Sequence, residues 1–304
     1  MYRDRADGYE NTVPSPSRPS GEAPGVARLA EQLEARISAV CEASPAGAQR
    51  LQKAIRCSML TPGKRARGLL ALLVTESWGR DPELALDAAV AIERVHAASL
   101  ILDDLPSLDN TLVRRGKPAC HVEYGQSTAI LAAVAILSAA FATLAKDDRL
   151  PAATRLELVD VLSRAIGPEG MTGGQEADLN PESPAPGVHD LERMYAAKTG
   201  ALFEASVLAG TIVAGIDGPR RALMADFGMR LGIGFQALDD LADTAEDTAS
   251  LVKLLGPEPA RRRAEGHIAV ARECLEASGA DTARLVHYVD SLVALMVEKP
   301  ECAV

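Results

Sequence analysis

A chain of 304 residues with 47% hydrophobic content can bury a large core, and its length allows one or two domains. Alanine and leucine dominate while aromatics reach only 3%, which favours closely packed helices over sheets, where aromatic and β-branched residues are enriched. The net charge of −10 excludes the basic footprint that a nucleic-acid partner requires.

Residues 1–25, with Pro14, Ser15, Pro16, Ser17, Pro19 and Ser20, read as a disordered tail, and residues 26–304 as a single domain with no Gly/Pro-rich linker inside it. The tail carries no apolar run of the secretory type, and Cys41, Cys57, Cys120, Cys274 and Cys302 form no C-x-x-C pair. A cytoplasmic protein with reduced, structural thiols is therefore expected. Val26, Leu29, Leu33, Ile37 and Val40 recur at helical spacing and predict an amphipathic helix ending near Ser44-Pro45. Further helices are predicted at about 47–58, 64–79, 82–104, 126–147, 151–166, 188–214, 218–244, 258–278 and 280–297, and no strand is predicted. The longest apolar run, 129–145, is alanine-rich and interrupted by Ser138 and Thr143. It is expected to be a buried core helix, with no transmembrane segment in the chain.

In chain order, the first candidate for chemistry is Pro62-Gly63-Lys64-Arg65-Ala66-Arg67-Gly68, a turn leading into a helix start with three cations. Cations there oppose the helix dipole, and a bound anion would offset that cost, so Lys64 and Arg67 with the helix N-terminal amides make a candidate diphosphate cradle. Next, His96, Ser99 and Asp103 share one stripe of a helix that ends in the doublet Asp103-Asp104. Two adjacent carboxylates resist burial unless something positive sits beside them, and a divalent metal is the simplest answer. Pro106 should end that helix and let Asp109 return to the same pole. Arg114-Arg115-Gly116-Lys117 adds a cation cluster suited either to phosphate or to ion pairing. Gly173–Leu179 reads as a flexible polar break, and Lys198 and Thr199 lie inside an otherwise apolar helix. The carboxylate pattern recurs at Asp239, Asp240 and Asp243 after another apolar helical run, with Asp239 and Asp243 at i, i+4.

Taken together, GKRAR at 63–67, HAASLILDDLPSLDN at 96–110, RRGKP at 114–118, GQEADL at 174–179, KTG at 198–200 and GFQALDDLAD at 234–243 resemble the trans-isoprenyl diphosphate synthases, most of all the bacterial geranylgeranyl diphosphate synthases of carotenoid pathways. The resemblance runs from about residue 26 to 297 and implies an all-α isoprenoid synthase fold, with helices surrounding a deep central cavity, in a homodimer. It further implies that Asp103, Asp104, Asp109, Asp239 and Asp243 hold Mg²⁺, roughly three ions per active site, with Asp240 behind them or a further ligand. Arg114, Lys198 and Gln236, flanked by Thr199 and Phe235, would contact the allylic diphosphate; Lys64, Arg67, His96 and Arg115 would hold isopentenyl diphosphate. Of these, Asp103, Asp104, Asp109, Lys198 and Asp239 would carry the catalysis. Ala98 and Ser99 stand where shorter-product members often carry an aromatic residue, so a twenty-carbon product is expected, with a fifteen-carbon farnesyl product as the alternative.

One departure stands out. After Asp243 the family carries a loop with two Gly-Lys pairs, whereas here Thr244–Ser250 is much shorter and lysine-free, leaving Lys253 as the nearest cation. This keeps open a second reading, a weakened homologue that serves another synthase as a partner or regulatory subunit.

Overall fold

The computed structural model describes residues 24–42, 48–181, 186–242 and 250–297. Nearly all of the expected tail, Asp243 and Thr244–Ala249 therefore lie outside the described residues. The helices are α1 (Pro24–Glu42), α2 (Gln49–Leu60), α3 (Ala66–Ser77), α4 (Leu86–Asp103), α5 (Cys120–Tyr124), α6 (Gln126–Lys146), α7 (Ala152–Ile166), α8 (Met171–Leu179), α9 (Val188–Tyr195), α10 (Ala201–Val213), α11 (Gly218–Ala242), α12 (Leu251–Leu255), α13 (Pro257–Ser278) and α14 (Ala283–Val297).

The core follows from which helices are apolar all round. In α3 and α10 nearly every residue is buried, as expected of helices with no polar face to give to water. Amphipathic helices surround them. α1 buries Val26, Leu29, Leu33 and Ile37 against α3 and α4, and α11 packs on α10 and α13. A second apolar cluster, built from Leu191, Tyr195, Leu238, Leu251, Ala260 and Ala264, joins α9, α11, α12 and α13.

The structure differs from the sequence expectation in several places, the unpredicted short helix α5 among them. Gly173–Leu179 is helical within α8, because Gly174 packs so closely on Lys198 that an added Cβ would stand 2.2 Å from the Lys198 nitrogen. Close packing here outweighs the low helix propensity of glycine. The predicted helix 188–214 is interrupted by a π turn at Ala196–Gly200. The predicted helix 64–79 begins only at Ala66, with Arg65 ahead of it in the left-handed region at φ 48°. A short β-hairpin, β1 (Val113–Arg114) and β2 (Lys117–Pro118), turns through Arg115 and Gly116, both at positive φ, the signature of a type I′ turn. Finally, α6 is not buried all round: Ala129, Ala132, Ala133, Ile136 and Ala140 pack inward, while Ile130, Leu131 and Val134 face out. By length and composition α6 and the run Val188–Val213 would both suffice to cross a membrane, and the second is mostly buried within the fold.

Candidate active site

A cavity of about 1950 Å³ opens between α3, α4, α8, α11, α14 and the π turn, well above the roughly 300–1,000 Å³ of ordinary ligand sites. Its inner wall is apolar, formed by Val95, Ala98, Leu102, Leu137, Ile166 and Leu202 among others. Its polar wall brings together Lys64, Arg67, His96, Ser99, Asp103, Arg115, Lys198, Thr199, Phe235, Gln236 and Asp239, so most of the sequence-predicted site residues meet in one place.

On one side stands a wall of cations. Arg67, the second residue of α3, lies over the Phe203 ring with its guanidinium carbon 4.6 Å from the centroid. Burial lowers it to about 10, so it remains charged, and its Nε is buried with no hydrogen-bond partner. A buried guanidinium with an unused donor is a ready receptor for an anion. Arg115 reaches back from the hairpin turn to the carbonyl of Pro62 at 3.3 Å and lies against Gly63, where an added Cβ would come within 2.5 Å of its guanidinium. Arg65 also borders the cavity, but its guanidinium is already partnered. It turns inward to Glu34 at 2.8 Å and to the carbonyl of Met59 at 2.8 Å. Glu93, 2% exposed, accepts the Gly68 N–H at 2.8 Å and stands 3.7 Å from Arg65, which offsets some of this concentrated charge. Burial and the surrounding arginines push the His96 imidazole well below its ordinary value, so it is neutral at pH 7.

The same cavity holds the carboxylate pole. α4 ends at Asp103, ahead of Pro106, and the chain folds back so that the Asp109 N–H donates to the Asp103 carbonyl at 2.9 Å. Burial raises Asp103 to about 6, with Lys198 opposing and Asp109 and Asp104 adding to the shift. Asp109 is raised for the same first reason. Asp104 does not line the cavity. It is buried and accepts two hydrogen bonds from Arg114, one of them at 3.0 Å from Nε. Burial would lower Arg114, but Asp104 outweighs it and holds the guanidinium above its ordinary value. Lys198, aimed by the π turn, is ion-paired with Asp178 of α8. Such single-turn π insertions recur at functional sites.

On α11, Gln236 accepts from the Thr199 hydroxyl at 2.6 Å and donates to Asp240 at 2.9 Å. The other oxygen of Asp240 accepts from the Tyr195 hydroxyl, and that hydroxyl accepts the N–H of Leu251 at 3.0 Å. Asp240 therefore faces into a protein network, while its neighbour Asp239 lines the cavity. Phe235 packs at 5.1 Å between ring centroids on Phe203, the ring beneath Arg67.

Four contributors were missed by the sequence reading. Gln175, on the cavity wall, has a buried Nε2 with no hydrogen-bond partner. Its signal was present as the polar face of GQEADL, had that stretch been read as helix. Asp178 and Glu93 lie one helical turn from Gln175 and His96 respectively, and the same face argument finds them. Tyr195 gave no signal, because a tyrosine in an apolar helix reads as core.

The chemistry of the donor set fits Mg²⁺. Asp103 and Asp239 present hard oxygen ligands on two facing helices, with Asp109 beside the first. Among the described residues no three His, Cys, Asp or Glu side chains are gathered into one metal-binding group.

The sequence profile of the polyprenyl synthetase family matches residues 48–258. The farnesyl diphosphate synthase of Geobacillus stearothermophilus is 37% identical over 265 residues, 82% of this chain and 89% of that protein. The geranylgeranyl diphosphate synthase of Pantoea ananas is 40% identical over 237 residues, 74% of this chain and 78% of that protein. Among solved structures, an FPP/GFPP synthase of Zymomonas mobilis superposes with a TM-score of 0.80 at 32% identity, covering 90% of this chain and 99% of that one. The isoprenoid synthase fold and the matching profile over most of its length establish that the chain belongs to the polyprenyl synthetase family.

Proposed function

We propose that this prenyltransferase condenses isopentenyl diphosphate with an allylic diphosphate and extends the product to the twenty-carbon geranylgeranyl diphosphate. The observation that carries the reading is the cavity itself, with one wall of cations, a pole of carboxylates and a long apolar interior. Lys64, Arg67 and Arg115 hold the diphosphate of isopentenyl diphosphate, and neutral His96 offers it a ring N–H rather than a charge. Lys198 and Gln236 meet the allylic diphosphate, with Thr199 orienting the Gln236 amide. Arg114 acts through Asp104, which keeps the α4 terminus and the hairpin in register.

Asp103, Asp109 and Asp239 would hold Mg²⁺, with Asp243 joining on sequence spacing. Once bound, the metal supplies the positive charge that stabilises the leaving diphosphate as the allylic carbon–oxygen bond breaks. The protein's own part is to fix the double bond of isopentenyl diphosphate beside the allylic carbon and to line that space with Val95, Ala98, Leu102 and Leu202, which keep water from the cationic carbon. No side chain is assigned as the base; the released diphosphate is the proposed acceptor of the proton that is lost.

The small side chains of Ala98 and Ser99 on the cavity wall support the longer product. Relatives named as farnesyl diphosphate synthases favour a fifteen-carbon product as the second reading. The lysine-free segment after Asp243 favours a third, in which a weakened chain assists another synthase. A homodimer is proposed as the working form, because Ile130, Leu131 and Val134 leave an apolar face on α6 that a second copy would cover. The deciding experiment incubates the purified protein with Mg²⁺, isopentenyl diphosphate and each allylic diphosphate in turn. Elongation that chelation of the metal abolishes is expected. No elongation with any primer contradicts catalysis, and recovery on insertion of the two Gly-Lys pairs would assign the loss to the shortened segment.

A further inference from the structure

Tyr195 is almost fully buried, at 1% exposure, yet its hydroxyl does not merely satisfy itself in the core. It bridges two elements that the chain separates. On one side it donates to Asp240, whose second oxygen takes the Gln236 amide at 2.9 Å. On the other it accepts the N–H of Leu251 at 3.0 Å. Leu251 opens α12, so its N–H belongs to the first helical turn and has no intrahelical acceptor; the tyrosine oxygen takes that place. Each carboxylate oxygen of Asp240 thereby takes one protein donor, and the face of α11 on which Gln236 and Asp239 stand is held from behind.

We propose that Tyr195 is a positioning residue for the second carboxylate motif, its hydroxyl tying Asp240 to the Leu251 amide so that Gln236 and Asp239 stay aimed at the cavity. The proposal rests on the reading of Asp239 as a metal ligand. It gives the tyrosine a role beyond packing, because the ring alone would fill the cluster around Leu191, Leu238 and Leu251. Removing only the hydroxyl leaves a buried carboxylate oxygen and a buried N–H without their partner, and both will seek others. Partners that orient metal ligands from behind behave in this way.

Tyr195→Phe tests it, since the ring and the core contacts remain. Three readouts on folded protein are needed: amide exchange at Leu251, the Mg²⁺ concentration for half-maximal thermal stabilisation in the presence of inorganic diphosphate, and KM for isopentenyl diphosphate. The proposal predicts faster exchange at Leu251 and a rise of about tenfold or more in the half-saturating Mg²⁺ concentration, with a smaller change in KM for isopentenyl diphosphate, whose cations Tyr195 does not touch. Unchanged exchange at Leu251 would overturn the bridge. Faster exchange with an unmoved Mg²⁺ dependence would reduce the tyrosine to a structural residue and equally overturn the proposal. Should the wild type elongate no primer, the enzymatic reading fails on its own, and the exchange and Mg²⁺ measurements, which require no turnover, still decide the role of Tyr195.

Discussion

Arg67 shows how much one side chain's surroundings determine its use. Its guanidinium is buried on Phe203 and keeps an unpartnered Nε, an arrangement that a lysine at the same place cannot reproduce. Arg67→Lys is expected to raise KM for isopentenyl diphosphate about tenfold, equivalent to roughly 1.4 kcal/mol, with kcat changed less. Steady-state kinetics against each substrate separately would check this, and an equal loss against both would remove Arg67 from the isopentenyl side. Arg67, His96 and Asp103 were recognisable from sequence because charge in an apolar helical context demands a reason. Asp104 was not separable from Asp103, since adjacent carboxylates look alike until the fold turns one toward Arg114. Asp240 and Asp239 divide in the same way: Asp240 takes the Tyr195 hydroxyl and the Gln236 amide, while Asp239 lines the cavity.

Among the elements, the π turn at Ala196–Gly200 depends on close approach from both sides. Gly174 of α8 leaves room for the Lys198 backbone, and Gly232 of α11 lies so near Gly200 that a Cβ would come within 2.6 Å of its Cα. Gly210 makes a comparable contact far from the diphosphate wall, where a Cβ would stand 2.4 Å from the Ala71 carbonyl. Gly174→Ala and Gly210→Ala are each expected to cost about 1–3 kcal/mol of stability by overpacking. Denaturant unfolding measures that cost, while kinetics separate the two: only Gly174→Ala should raise KM for the allylic diphosphate, because only it displaces Lys198. The helical pattern itself was readable from apolar spacing, and most helix spans agree to within a few residues. α8 and the π turn were not readable, because both arise from glycine contacts between elements distant in sequence, which no local propensity records.

For the whole molecule, the all-α architecture follows from composition and period, whereas the deep cavity was expected only from the resemblance of the motifs to the trans-isoprenyl diphosphate synthases. The outer face of α6 shows the limit of that reasoning. Its alanine-rich sequence predicts burial on every side, but a monomer supplies neighbours for only one face, and Leu131 stays 58% exposed. If a second copy covers it, Leu131→Asp should yield monomers in sedimentation velocity while the wild type sediments as a dimer; a monomeric wild type would remove the proposed interface.

The central claim concerns what the cavity makes. Ala98 is buried yet lines the apolar wall on α4, one turn before the carboxylate pole, so a bulky ring there would occupy the path of the growing chain. The direct measurement is mass spectrometry of the products formed from Mg²⁺, isopentenyl diphosphate and farnesyl diphosphate or a shorter primer, by the wild type and by Ala98→Tyr side by side. The account predicts a twenty-carbon product from the wild type and fifteen carbons or fewer from the variant. A wild type that stops at fifteen carbons, or a variant with an unchanged product spectrum, would contradict it.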